Sequence, residues 1–168
     1  HDGYIKALLK VLDDDLRFVQ NRKIHLIFIG GGTPSLMTID DAHELFEGLN
    51  EKLLLSKNIE ITLEANPGTF EVDKFAEFRK AGINRLSVGV QSFRDSQLKF
   101  LGRIHSGGEA LRAISEAQKV GFDNLNIDLM YGLQGQTSEM CLEDLMQAIE
   151  LNPSHISFYQ LTLEPNTL

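Results

Sequence analysis

The sequence predicts an α/β fold, a partial (β/α) barrel of the TIM type built on parallel strands and open on one side. Three observations lead there. Helical and extended segments alternate strictly along the 168 residues, with short connections; that order requires crossover helices and a parallel sheet. Successive strands each carry one apolar and one polar face. The apolar run Leu26-Ile27-Phe28-Ile29 stops on Gly30-Gly31-Gly32-Thr33-Pro34, a turn at the carboxyl end of a strand, where parallel α/β folds bind ligands.

The elements follow in order. Tyr4, Ala7, Leu8, Leu9, Val11, Leu12, Leu16 and Val19 recur at helical spacing over 4–20. Residues 24–29 form a continuous apolar run, as expected of a buried parallel strand. Asp40 and Asp41 open a helix to about Leu55, with Leu45, Phe46, Leu49, Leu53 and Leu54 as its buried stripe. Residues 59–64 alternate with period two and read as a strand. A helix at about 71–81 ends at Gly82, and Arg85–Val90 is the next strand. Helices near 95–101 and 107–120 precede a strand from Asn124 to Met130. A helix at about 138–151 and a strand from His155 to Leu161 complete the order.

The strand faces choose between a doubly wound sheet and a barrel. Leu125, Ile127 and Leu129 oppose Asn124, Asn126 and Asp128; Leu86, Val88 and Val90 oppose Ser87, Gly89 and Gln91; Glu60, Thr62 and Glu64 share a polar face. A doubly wound sheet buries two apolar faces. A barrel that fills its own core puts branched apolar residues inside. Polar interiors therefore predict an open barrel whose lumen holds a polar ligand. Because the order begins with a helix, we expect a first strand to be missing from this chain.

Composition narrows the function. The net charge of −8 argues against non-specific nucleic-acid binding. No apolar stretch reaches the ~20 residues of a membrane-spanning helix, and His1-Asp2-Gly3-Tyr4 does not resemble a signal peptide. A single cysteine, Cys141, excludes an internal disulfide, fits a reducing cytoplasm, and excludes a cysteine-ligated cluster built from this chain alone.

Polar residues gather at the predicted strand ends. Gly30, Gly31 and Gly32 offer bare backbone N–H groups and Thr33 a hydroxyl. Glu64 closes one strand, Gln91 and Ser92 the next; Asp128 lies in the fourth and Tyr159 in the last. Singly, each has a plainer role as a cap or a solvated group; on successive strands they converge on one site. Arg103 has the chemistry to pair a ligand carboxylate, or to form a surface ion pair. His25 and His105 lack a second histidine at ligand spacing, and Cys141 reads as a packed residue.

Six motifs, in order and across nearly the whole chain, resemble a known family. They are Phe28-Ile-Gly-Gly-Gly-Thr-Pro-Ser35, Leu63-Glu-Ala-Asn-Pro-Gly68, Asn84-Arg-Leu-Ser-Val-Gly-Val-Gln-Ser-Phe93, Leu101-Gly-Arg-Ile-His105, Asn126-Ile-Asp-Leu-Met-Tyr-Gly-Leu133 and Tyr159-Gln-Leu-Thr-Leu-Glu-Pro-Asn-Thr167. Together they resemble the radical S-adenosylmethionine (SAM) proteins of the oxygen-independent coproporphyrinogen III oxidase family (HemN/HemW). The second and sixth are worded closer to the HemW branch, regarded as haem chaperones.

The resemblance implies a site for SAM. Gly30 and Gly31 would meet its amino end; Glu64 and Arg103 its amino-acid portion, with Arg103 on the carboxylate. Gln91 and Asp128 would bind the ribose hydroxyls, and Met130 and Tyr159 would line the adenine side. Gly32, Thr33 and Ser92, in the same motifs, would bind SAM with them. The family's Cys-x3-Cys-x2-Cys stretch, which ligates a [4Fe–4S] cluster, does not occur here, nor does its carboxyl-terminal domain. Residues 1–168 are therefore expected to be an internal part of a radical SAM core domain, inactive alone. The intact protein would use SAM and the cluster to generate a 5′-deoxyadenosyl radical and decarboxylate coproporphyrinogen III, with an electron donor. As a HemW-like chaperone it would instead pass haem to an acceptor protein. The family turn Gly-Leu-Pro-Gly-Gln has Gln134 for its proline, which loosens one loop.

Two other readings compete. A barrel hydrolase using Glu64, Asp128 and a histidine on a divalent metal would want clustered histidines, which the sequence lacks. A non-enzymatic module would bind a tetrapyrrole or partner through an exposed sheet edge, an edge that also predicts self-association.

Overall fold

The computed structural model describes residues 3–68 and 72–162. Five parallel strands form a curved half-barrel in the order β1-β2-β3-β4-β5. They are β1 (Ile24–Ile29), β2 (Leu55–Ala65), β3 (Arg85–Gln91), β4 (Asn124–Tyr131) and β5 (His155–Gln160). The helices are α1 (Tyr4–Val19), α2 (Ile39–Lys52), α3 (Phe75–Ala81), α4 (Asp95–Phe100), α5 (Gly107–Lys119) and α6 (Ser138–Glu150), with a 3₁₀ turn at Pro34–Leu36. No helix among the described residues is long and apolar enough to cross a membrane.

The core lies between the outer face of the sheet and the helices. Leu63, Leu86, Val88, Val90, Ile127 and Leu129 are fully buried from the strands, against Phe75, Phe78, Ala113, Ile114, Ala117 and Phe122. Burying one such large side chain stabilises the fold by roughly 1.5–3 kcal/mol. Local signals start the helices cleanly. At α2 the Asp41 N–H donates to Thr38 Oγ1 (3.1 Å) while Thr38 N–H donates to the Asp41 carboxylate (3.1 Å). Ser106 and Glu109 repeat this reciprocal cap at α5. In both caps the hydrogen bonds hold the carboxyl below its ordinary range.

Two expectations need correction. The apolar run 24–29 is a strand, but β1 is the edge of the sheet, with Leu26 and Phe28 each more than half exposed. Helix α2 ends at Lys52 rather than near Leu55, so Leu53 is its cap, Leu54 is exposed, and Leu55 starts β2. There Ile24 N–H donates to the Leu54 carbonyl (2.8 Å), which draws these residues into the sheet. The start of the helix expected at 71–81, and residues 163–167 of the last motif, lie outside the described residues.

Register is regular except at two places. Between β1 and β2 it shifts after Ile24. Between β3 and β4, Val88 pairs with Ile127 but Gln91 pairs with Leu129, so β3 carries one extra residue. Such bulges re-aim side chains beside functional sites.

Candidate functional site

Strand alternation aims the site residues at one surface. Residues i and i+2 share a face, so Glu64 and Asn66 extend from β2, Ser87, Gly89 and Gln91 from β3, Asp128 from β4 and Tyr159 from β5. With Ala65, Gly32, Pro34 and Arg103 they line a cavity of about 220 Å³ at the carboxyl ends of the strands.

The glycine loop joins this cavity through Glu64. Gly31 and Gly32 have φ of 82° and 61°, a region that glycine adopts without steric cost. The Gly31 N–H donates to Glu64 Oε2 at 3.0 Å. Gly30 packs so closely that a Cβ there would stand 2.9 Å from that carboxylate. On the opposite wall Tyr159 Oη donates to Gln91 Oε1 at 2.7 Å, which turns the Gln91 amide nitrogen toward Gly89. A Cβ on Gly89 would stand 3.1 Å from that nitrogen and 3.7 Å from Asn66 Oδ1. Arg103 Nη1 donates to Asn66 Oδ1 at 3.3 Å. Asp128 accepts from Ser87 Oγ (3.2 Å) and from Asn126 Nδ2 (2.7 Å).

The cavity therefore sets two carboxylates, Glu64 and Asp128, against one guanidinium, Arg103. Burial first, and then the Asp128 charge, push the Tyr159 phenol above its ordinary pKa, outweighing the Gln91 hydrogen bond and Arg103. Tyr159 thus stays a neutral donor. The set suits a ligand carrying an ammonium or sulfonium, a carboxylate and vicinal hydroxyls.

The residues expected from the sequence fall in different places. Gly32, Glu64, Gln91, Arg103, Asp128 and Tyr159 line the cavity. Gly30, Gly31 and Thr33 line a larger apolar groove, about 770 Å³, between α1 and the glycine loop. Ser92 is fully buried and donates its hydroxyl to Asp144 Oδ2 at 2.6 Å, away from the cavity. Met130 is half-buried in β4 and is not among the lining residues. Asn66, Ser87 and Gly89 line the cavity as well; they lie two or four residues from Glu64 or Gln91 on the same faces, so alternation alone marks them. His105 is buried with Nε2 on the Val90 carbonyl (3.2 Å), His25 is exposed, and Cys141 is half-buried. Among the described residues no group of three or more His, Cys, Asp or Glu is placed to hold a metal ion. The loop carrying Gln134 is tied down: Gln97 Nε2 donates to the Gln134 carbonyl (3.3 Å), and Gly132 and Leu133 N–H donate to Gln136 Oε1.

The Radical SAM superfamily profile matches residues 4–148. The chain is 52% identical over 168 residues to the heme chaperone HemW of Escherichia coli, covering all of this chain and 44% of that protein. It is 40% identical over 152 residues to the mitochondrial radical S-adenosyl methionine domain-containing protein 1 of Mus musculus, covering 90% of this chain and 34% of that one. Among solved structures it superposes on the coproporphyrinogen III oxidase HemN of Escherichia coli with a TM-score of 0.86 and 30% identity, over 98% of this chain and 38% of that one. The chain thus spans less than half the length of these relatives.

Proposed function

The chain belongs to the radical SAM superfamily, and on that premise we propose that the cavity at the carboxyl ends of β2–β5 binds SAM within a haem-handling protein. One observation carries this: Glu64, Gln91, Arg103, Asp128 and Tyr159, from separate elements, line a single cavity. The residues fit the ligand. Glu64 answers the positive amino end, with the glycine loop beside it. Arg103 answers the carboxylate, Asp128 and the Gln91 amide the ribose hydroxyls, and Tyr159 the base. Gly89 keeps the floor low enough for a ring to approach, because a side chain there would meet Gln91. Bound SAM, together with a [4Fe–4S] cluster, supplies the superfamily's one-electron chemistry. The residues present do not fit the cluster itself: there is one cysteine, and no metal-holding group among the described residues. We therefore read 1–168 as part of a radical SAM core domain whose cluster ligands lie elsewhere in the whole protein.

For the whole protein the haem-chaperone reading is better supported than the oxidase reading. Identity to HemW of Escherichia coli is 52%, against 30% to the oxidase HemN of the same organism. Haem or a porphyrinogen is the proposed cargo or substrate, and an electron donor and a haem-accepting protein are the proposed partners.

Isothermal titration of the chain with SAM tests the site. We expect saturable binding that Asp128→Asn weakens about tenfold, the loss of one charge-assisted hydrogen bond; no heat at millimolar SAM would sink the site reading. For the whole protein with its cluster restored, SAM, reductant and coproporphyrinogen III separate the two functions. The chaperone reading expects 5′-deoxyadenosine without protoporphyrinogen, whereas both products together would establish the oxidase.

A further inference from the structure

Gln91 is held in a conformation its residue type avoids. Its φ is 68°, and Ser92 N–H donates to the Val90 carbonyl at 2.9 Å, closing a three-residue turn around it. A γ-type turn with positive φ is rare and strained for any residue but glycine. The extra residue in β3 falls at this point. Yet Gln91 is 3% exposed and its amide is aimed at Tyr159 and the cavity floor.

What holds the turn comes from outside the cavity. Asp144, in α6, is 2% exposed. Its Oδ2 accepts from Ser92 Oγ at 2.6 Å and its Oδ1 from Phe93 N–H at 3.0 Å. Ser92 Oγ in turn accepts from Arg94 N–H at 3.1 Å. One carboxylate thus takes up the polar groups of the two residues after Gln91. Glu143, its neighbour in α6, forms an ion pair with Arg94. From the other side Gly107 packs on the Phe93 carbonyl so closely that a Cβ would overlap it.

We propose that Asp144 is a positioning residue for SAM: by fixing Ser92 and Phe93 it locks Gln91 at positive φ and so holds the Gln91 amide in the cavity. This rests on the SAM reading above. With the carboxylate gone, Gln91 relaxes to negative φ and its amide swings off Tyr159. The role differs from simple packing, because it acts only through Gln91.

The test is a double-mutant cycle on SAM affinity in the full chain, by isothermal titration, with Asp144→Ala and Gln91→Gly, backed by a crystal structure of the Asp144 variant. Asp144→Ala is expected to weaken SAM binding about tenfold in the native background and not at all in the Gln91→Gly background, the non-additivity of coupled neighbours. Asp144→Asn, which keeps an acceptor and the shape, restores most of the affinity and serves if the alanine variant fails to fold. Equal losses in both backgrounds, or no loss in the native one, overturn the proposal. If the native chain binds no SAM, the site reading fails but the clamp is still decided by the crystal structure. Gln91 at negative φ, parted from Tyr159, supports it; Gln91 unmoved overturns it.

Discussion

At the amino ends of the strands Glu60, Arg85 and Asn124 share a sheet face with Glu64, Gln91 and Asp128 at the carboxyl ends, but the two sets use their polar atoms differently. Glu60 accepts from Thr62 Oγ1 (3.2 Å) and Asn124 Nδ2 (3.1 Å), and Arg85 donates to Thr62 Oγ1 (3.4 Å). Between the sets lies Asn126, 1% exposed. Its amide nitrogen donates to Ser87 Oγ (2.8 Å) and Asp128 (2.7 Å); its oxygen accepts from Ser157 Oγ (3.1 Å) and His155 Nδ1 (2.5 Å). Asn126 is thereby saturated, and the Asp128 carboxylate fixes which way it faces. Toward the carboxyl ends the partners thin out, and the same kinds of groups line a cavity. A polar lumen is therefore two things: a closed network that fixes the barrel wall, and an open set that faces a ligand.

The largest effect should come from breaking the closed half. Asn126→Leu takes a partner from Ser87, Asp128, His155 and Ser157 at once and should cost about 3 kcal/mol of stability. Urea denaturation checks this; a loss below about 1 kcal/mol, within the range of a surface change, would deny the network its role. A smaller effect on a different quantity sharpens the contrast. Gly89→Ala, which crowds Gln91, should lower SAM affinity about fivefold while shifting stability by less than about 1 kcal/mol. Glu60→Gln, on the same face at the other end, should leave SAM affinity unchanged; a fall there would erase the boundary between the halves.

The smallest effect is one of pH. The Tyr159 phenol is raised by burial and by Asp128. Its folded pKa lies above the unfolded one, so the stability it contributes is full below the ordinary phenol value and lost as pH rises through the folded value. Difference absorbance against Tyr159→Phe should place its titration above that of a free phenol, and Asp128→Asn should move it back down. A midpoint at the free-phenol value would mean that the phenol is neither buried nor within reach of the Asp128 charge.

Alternation made much of this legible. Period-two patterning put Leu125, Ile127 and Leu129 on the core side and Asp128 on the lumen side, as found. It could not show that Asn126 and Glu60, with the same pattern, belong to the closed half, because that depends on partners 29 and 64 residues away. Nor does an apolar run reveal whether a strand has a neighbour on both sides, which is why Ile24–Ile29 reads as buried but forms an edge. Ser92 reads as a site residue from its place after Gln91, yet its hydroxyl is taken by Asp144, 52 residues on. That carboxylate sits in an amphipathic helix with nothing local to mark it.

The strand order of the half-barrel is also the order of the chain. Each strand finds its partner after one or two intervening helices, so every loop closed during folding is short. Closure entropy grows only slowly with such lengths, and local pairing favours rapid folding. A chain emerging from the ribosome can therefore add one strand–helix unit at a time, each new strand docking on the last. Assembly in that direction completes the floor of the cavity with β3 and β4 and sets its Tyr159 wall last.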